Sequence, residues 1–307
     1  MRRRVKAPAS PLPQRDGVDA VRVRLPEGGG GGTVREYLVG RYAGAVGGAR
    51  VEEMVRGGRF VGVDGRAVGW DEPYEAGRYV WFHREFPAEE RVPFEVGVVF
   101  RDERVVVADK PHFLATMPRG RHVTETAVAR LRRELGLPEL QPAHRLDRLT
   151  AGLVLFVVRA DDRGAYQSLF GERRVRKEYE AVAPYRPEVA LPVTRRSRIE
   201  KERGELAARE VPGEPNSESR IELLERRGGL GRYRLVPETG RTHQLRVHMA
   251  ALGLPILHDP LFPVVREDGP EDFGRPLQLL ARTLEFTDPF TGGVRRFESR
   301  RALSGLG

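Results

Sequence analysis

The sequence predicts two α+β units, a small one ahead of a larger one. Three observations carry that expectation. The chain has 307 residues, and at about 150 residues per domain that suggests two. Apolar residues make up 39% and charged residues 32%, enough to bury a core and too apolar for a wholly disordered chain. Helical periodicities alternate with period-two and all-apolar runs, with turn residues between them. Cysteine is absent, which excludes disulfides, thiolate nucleophiles, cysteine zinc sites and iron–sulfur clusters. No run approaches about 18 apolar residues, so no membrane span is expected. The basic start, Met1 to Lys6, is not followed by an apolar stretch and does not read as a secretory signal. A cytoplasmic location is expected.

Residues 1–32 read as a flexible arm, with Arg2–Arg4, several prolines and the joint Gly28–Gly32. Within it, Val21–Leu25 alternates as a short strand does. Residues 33–86 form the small unit. Thr33 can cap a helix, with Glu36 placed for a capping box. Val51, Met54 and Val55 mark a second helix, stopped by Gly57-Gly58. Phe60–Val63, Ala67-Val68 and Tyr79–Phe82 read as short strands around the turn Asp64-Gly65. Residues 87–97, bounded by Pro87 and rich in charge, read as a linker.

The larger unit spans 98–307. Val98–Phe100 and Val105–Ala108 are strands around Asp102-Glu103. Thr124 to Leu135 reads as a helix capped by Thr124 and ended by Gly136. Gly152–Val158 is nearly all apolar, hence a strand buried on both faces. Ala165–Phe170 is a short helix, and Lys177–Ala183 alternates as a half-buried strand. Ile199–Lys201 and Leu206–Arg209 read as edge strands of a hairpin over a cleft. Ile221–Leu224 and Tyr233–Val236 are further strands. A last helix runs from about His243 to Leu252, with Thr242 placed to cap it and Gly253 to close it.

Charge alone is ambiguous. The net charge is +9, with 53 basic against 44 acidic residues. That invites a polyanion partner, but only Lys6, Lys110, Lys177 and Lys201 are lysines. An arginine excess beside abundant Gly, Ala and Val also follows from GC-rich coding.

Three segments carry chemistry. His144-Arg-Leu-Asp-Arg-Leu-Thr-Ala-Gly-Leu153 sets the carboxylate of Asp147 in a polar turn ahead of a buried strand. That is a rigid mount for a nucleophile or base. Arg176-Lys177-Glu178-Tyr179 enters another strand. Thr239-Gly-Arg241-Thr-His243-Gln-Leu-Arg246-Val-His248 enters the last helix, where Leu245, Met249 and Leu252 form the apolar stripe and Arg246 faces elsewhere. His243 and His248 lie about 140° apart on a helix, so they do not form a metal pair and no metal is expected. His144–Asp147 lacks the order and the following Asn of a kinase loop. No dinucleotide or phosphate-loop fingerprint occurs. A glycoside hydrolase needs two facing carboxylates, and these segments offer one ringed by arginines.

Together the segments resemble the catalytic core of the RluA-type RNA pseudouridine synthases, from about Val98 to Phe297. Asp109-Lys110-Pro111, Leu252–Asp259 and Leu280–Gly292 add to the likeness. Ala151 stands where Ser is usual, His258 where Gly is usual, and Phe262-Pro263 where Tyr-Gly is usual. The small unit, with Gly58–Val68 as its core motif, resembles an S4-like RNA-binding module. The resemblance implies a pseudouridine-synthase core around a mixed, mainly antiparallel central sheet. It implies isomerisation of uridine within RNA, without a cofactor, by a monomer. It assigns the nucleophile to Asp147, uracil packing and a proton step to Tyr179, and charge stabilisation to Arg246. It implies substrate contacts from His144, Arg145, Arg148, Thr150, Lys177, Arg241 and His243. Ribosomal RNA is the expected substrate and transfer RNA the alternative; a non-catalytic RNA-binding or assembly factor is a third reading.

Overall fold

The computed structural model describes residues 8–28, 32–85, 89–266 and 271–305. The basic start and parts of the expected glycine joint and linker (Gly29–Gly31, Pro87 and Ala88) lie outside them. The chain divides into two units, residues 1–88 and 89–307.

In the first unit, β1 (Val21–Arg24) pairs antiparallel with β2 (Tyr79–Phe82), and α1 (Val34–Val46) and α2 (Gly48–Arg56) lie between them in sequence. Thr33 and Glu36 form the expected capping box. Val23 and Leu25 are buried against Val34, Leu38, Val51 and Phe60. Residues 21–25 therefore belong to this unit's core and not to a free arm, because their apolar side chains alternate inward. The expected strands at 60–63 and 67–68 amount to isolated bridges, Val61 to Ala67 and Val61 to Trp81.

The second unit is built on one 11-stranded sheet. Its strands are β3 (Gly97–Arg101), β4 (Val105–Lys110), β5 (Gln141–Pro142), β6 (Ala151–Val157), β7 (Val175–Pro184), β8 (Val193–Glu200), β9 (Arg209–Val211), β10 (Ser217–Arg227), β11 (Leu230–Pro237), β12 (Leu279–Thr287) and β13 (Val294–Glu298). The order is β3-β4-β6-β12-β7-β11-β10-β8-β9, with β13 on β12 and β5 on β6. Among the described residues, only strands β6 and β12 pair in parallel, so the sheet is mixed and mainly antiparallel, as expected.

Three helices cover it: α3 (Ala127–Leu135), α4 (Arg163–Gly171) and α5 (Gln244–Ala251). Every residue of β6 is buried. Val154 and Phe156 pack with Val128 and Leu131 of α3, whereas Leu153 and Leu155 pack with Tyr166 and Leu169 of α4. A strand covered on both faces must be apolar at every position. Gly152 sits at φ 112, where a Cβ would lie 2.3 Å from the Ala281 carbonyl oxygen; only glycine lets β6 and β12 approach this closely.

Two local expectations change. The cap of α3 is Thr126, whose hydroxyl accepts from the Ala129 amide. Thr124 is engaged by Glu89, whose carboxylate accepts from the Val123, Thr124 and Glu125 amides and the Thr124 hydroxyl. Burial alone would raise the Glu89 pKa, but these donors outweigh it and leave the pKa lowered. Val92 and Val96 are buried in the second unit's core, so 89–97 is part of that unit and not a linker. At the last helix, Thr242 is exposed and His243 occupies the cap in a left-handed conformation, φ 57.

Candidate active site

The carboxylate of Asp147 stands on the loop between β5 and β6. Three side chains, one at the end of β4 and two just after it, clamp that loop by its carbonyls. Thr116 donates to the Leu146 carbonyl at 2.9 Å and accepts from the Leu146 amide at 3.1 Å. Buried Lys110 donates to the carbonyls of Pro111, Leu114 and Arg148. His112 Nδ1 lies 2.7 Å from the Leu149 carbonyl, so Nδ1 carries the proton. Burial pushes the His112 pKa down to about 4 and outweighs that bond. Burial likewise holds Lys110 well below the usual lysine range, against the pull of Asp147.

His144 fixes the other end of the loop. Its Nε2 accepts from the Leu155 amide at 3.1 Å, and its ring stacks on Phe170 at 4.2 Å. Burial, with Lys177 nearby, pushes its pKa down to about 3. His144 is therefore a neutral strut.

Asp147 faces α5. Arg246 Nη1 lies 3.9 Å from Asp147 Oδ2, and His243 Nε2 lies 4.0 Å from the same oxygen. Arg246 is buried, although it lies off the apolar stripe of the helix, and its principal partner is Asp259. Nε and Nη2 donate to the two Asp259 oxygens at 2.7 and 2.6 Å. The Asp259 side chain is 0% exposed, whereas that of Asp147 is 26% exposed. The Ala208 amide donates to His243 Nδ1 at 3.3 Å. That leaves the proton of a neutral imidazole on Nε2, toward Asp147. Burial lowers the His243 pKa, and Asp147 opposes it.

Gln244 organises the turn into α5. Its Oε1 accepts from Thr239 and the Arg241 amide, and its Nε2 donates to the Glu218 carbonyl and Ser219. His248 points elsewhere, with Nε2 near Ser197 and Ser217.

A cavity of about 490 Å³ opens over Asp147, within the range of small-molecule sites. Asp147, Tyr179, Arg246, His144, Arg145, Thr150, Lys177, Arg241 and His243 all line it. Arg148 does not. Its guanidinium pairs with Glu271 at 2.5 Å and reaches the Phe113 carbonyl. Tyr179 sits on β7 opposite Leu235 and Ala281. Burial first, then the Asp147 charge, raises its phenol pKa, so the hydroxyl is protonated at neutral pH.

Residues 104–251 match the family model described as RNA pseudouridylate synthase. The dual-specificity RNA pseudouridine synthase RluA of Haemophilus influenzae is 32% identical over 220 residues, covering 66% of this chain and 92% of that protein. The chain belongs to the RluA-type RNA pseudouridine synthases. Human pseudouridylate synthase RPUSD2 is 35% identical over 185 residues, which are 59% of this chain and 33% of that protein. The fold agrees with a solved structure, human RNA Pseudouridylate Synthase Domain Containing 1, at TM-score 0.56 and 25% identity, over 70% of this chain and 86% of that one. Members of this pseudouridine synthase family are isomerases acting on RNA. The clamps Lys110, His112 and Thr116, and the partners Asp259 and Gln244, were not among the expected site residues. Lys110, Gln244 and Asp259 fall within family-like motifs, but their contacts depend on distant segments.

Proposed function

We propose that this chain converts uridine to pseudouridine in ribosomal RNA, with Asp147 as the nucleophile. One observation carries the reading: a partly exposed carboxylate faces a buried arginine at 3.9 Å inside a cavity walled by a tyrosine. The glycosidic C–N bond breaks, the uracil turns, and its C5 bonds to the same ribose carbon. The ionised carboxylate either attacks the sugar or starts a proton removal that gives a glycal. Arg246 keeps a positive charge beside it in either route. Tyr179 packs against the uracil. Its raised pKa keeps the hydroxyl protonated while Asp147 is charged. Once that charge is consumed by a bond to the sugar, one of the two causes of the shift is gone; the phenol then gives its proton to water more readily, and the resulting phenolate takes the C5 proton. A uridine in a stem must first leave the stack, at a cost of a few kcal/mol.

Arg145, Arg241 and Lys177 line the cavity and suit RNA phosphates. The first unit is the second RNA-binding element in this reading. Its two helices and short strand pair support an S4-like role, as does Trp70, against whose ring the guanidiniums of Arg35 and Arg56 lie 4.5 and 4.1 Å from the centroid. Cytoplasmic action as a monomer completes the proposal. The name tRNA pseudouridine(32) synthase, mitochondrial, of a Saccharomyces cerevisiae relative 31% identical over 184 residues supports transfer RNA as the second substrate.

Asp147→Asn is expected to leave folding and RNA binding intact and to abolish tritium release from C5-labelled ribosomal RNA. Residual turnover at the wild-type rate would remove the assignment.

A further inference from the structure

We propose that Arg173, with Lys177 beside it, forms an anion subsite at the cavity rim that takes a phosphate of the RNA strand next to the target uridine. The subsite deepens the reading above and rests on it.

The observation begins with how α4 ends. The Arg174 amide donates to the Leu169 carbonyl at 2.8 Å, and the Arg173 amide to the Phe170 carbonyl at 3.3 Å. This closing pattern requires a left-handed residue between cap and strand, a position glycine fills without strain. Here it is arginine, at φ 58. A sequence selected only for stability would place glycine there.

The side chain gives the reason. Arg173 lines the cavity and is exposed. Its neighbours are neutralised: Arg174 pairs with Glu172 at 2.8 Å and Arg176 with Glu178 at 2.7 Å. Among the described residues, no carboxylate lies within ion-pair distance of Arg173. Lys177 lines the same cavity; burial first and the charge of Arg173 last lower its pKa, against the pull of Glu238, which lines the cavity as well. Glu238 acts on Lys177 and Glu218 feels the charge of Arg173, but the two cations still repel each other, and a phosphate bound between them would relieve that repulsion. Arginine also grips a phosphate with two parallel donors.

Position favours a phosphate near the reacting nucleotide. Phe170, on the same helix end, stacks on His144 of the loop that carries Asp147. The α4 terminus is thereby held against that loop, and Arg173 keeps its place relative to the carboxylate.

The test compares wild type, Arg173→Gly and Arg173→Ala in thermal unfolding, in oligouridylate binding across a salt series, and in turnover of a ribosomal RNA transcript. The glycine variant should melt about 2–4 °C higher, yet bind oligouridylate several-fold more weakly. Its slope of log affinity against log salt should fall by about 0.7, one phosphate contact to a single strand. The alanine variant should lose the same binding without the gain in Tm. In both, the loss of turnover should fall on KM and not on kcat. Unchanged salt slopes and KM values, or a glycine variant no more stable than wild type, overturn the subsite. If wild type forms no pseudouridine while the slopes still change, the functional reading fails and the phosphate contact stands.

Discussion

The two walls of the site are held by different physics. The loop carrying Asp147 is fixed by its backbone: Thr116, Lys110 and His112 hold three of its carbonyls. The helix carrying Arg246 offers a side chain fixed by charge, through two bonds to Asp259. The first arrangement orders a residue without touching its functional group. The second satisfies most of a functional group and leaves one nitrogen over. The carboxylate thus has a nearby cation that it shares, at 3.9 Å, and stays free enough to meet a sugar. A full ion pair between Asp147 and Arg246 would be a more satisfied contact and would leave the carboxylate less available for the nucleophilic role proposed for it.

Breaking the charged wall should have the largest effect. Asp259→Asn leaves Arg246 buried without its countercharge, and removing one partner of a buried pair costs about 3 kcal/mol. Urea unfolding should show that loss, and turnover should fall with it; an unchanged midpoint would mean that Arg246 does not depend on Asp259.

On the other wall, Gly152→Ala would drive a methyl into the Ala281 backbone where the loop enters β6. About 2–3 kcal/mol of destabilisation is expected, read as a lower Tm.

Acid should loosen the backbone-held wall before it protonates carboxylates. In that wall His112 and His144 have pKa values near 4 and 3, and His248 on α5 adds a third near 4, all lowered by burial. Unfolded, each binds a proton near pH 6.5. The unfolded state therefore holds more protons between about pH 6.5 and 4, and stability must fall as pH drops through that window. Above it, their contribution is complete. Urea midpoints measured from pH 8 to pH 4 test this; a flat profile across the window contradicts it.

Thr116→Val should be the mildest. It keeps the shape and removes two bonds to Leu146, at a cost of about 1–2 kcal/mol. Because the clamp orders Asp147 without touching substrate, kcat should drop while KM stays close to wild type in steady-state assays.

Much of the fold was legible because the deciding contacts are local. Thr33 and Glu36 sit three residues apart and cap each other within one turn. The apolar run of β6 announces burial on both faces before any partner is known. Asp147, Tyr179 and Arg246 were legible only as motifs; their meeting in one cavity was implied by resemblance and not by spacing. Other readings failed where a distant group competed. Thr124 is as good a cap as Thr126 in isolation, but Glu89 engages it from another segment. Arg148 flanks Asp147 in sequence, yet it pairs with Glu271 and does not line the cavity.

By itself, the sequence determined which segments are helical, which strands are buried, and which chemistry the polar motifs could perform, since a hydrogen bond within one turn or a period of two needs only neighbouring residues. The tertiary structure decided which cation Asp147 shares, which carbonyls hold its loop, and which arginines face the cavity. Those outcomes depend on bringing together side chains from separate segments, and the geometry of that approach exists only once β6, β7 and α5 have packed.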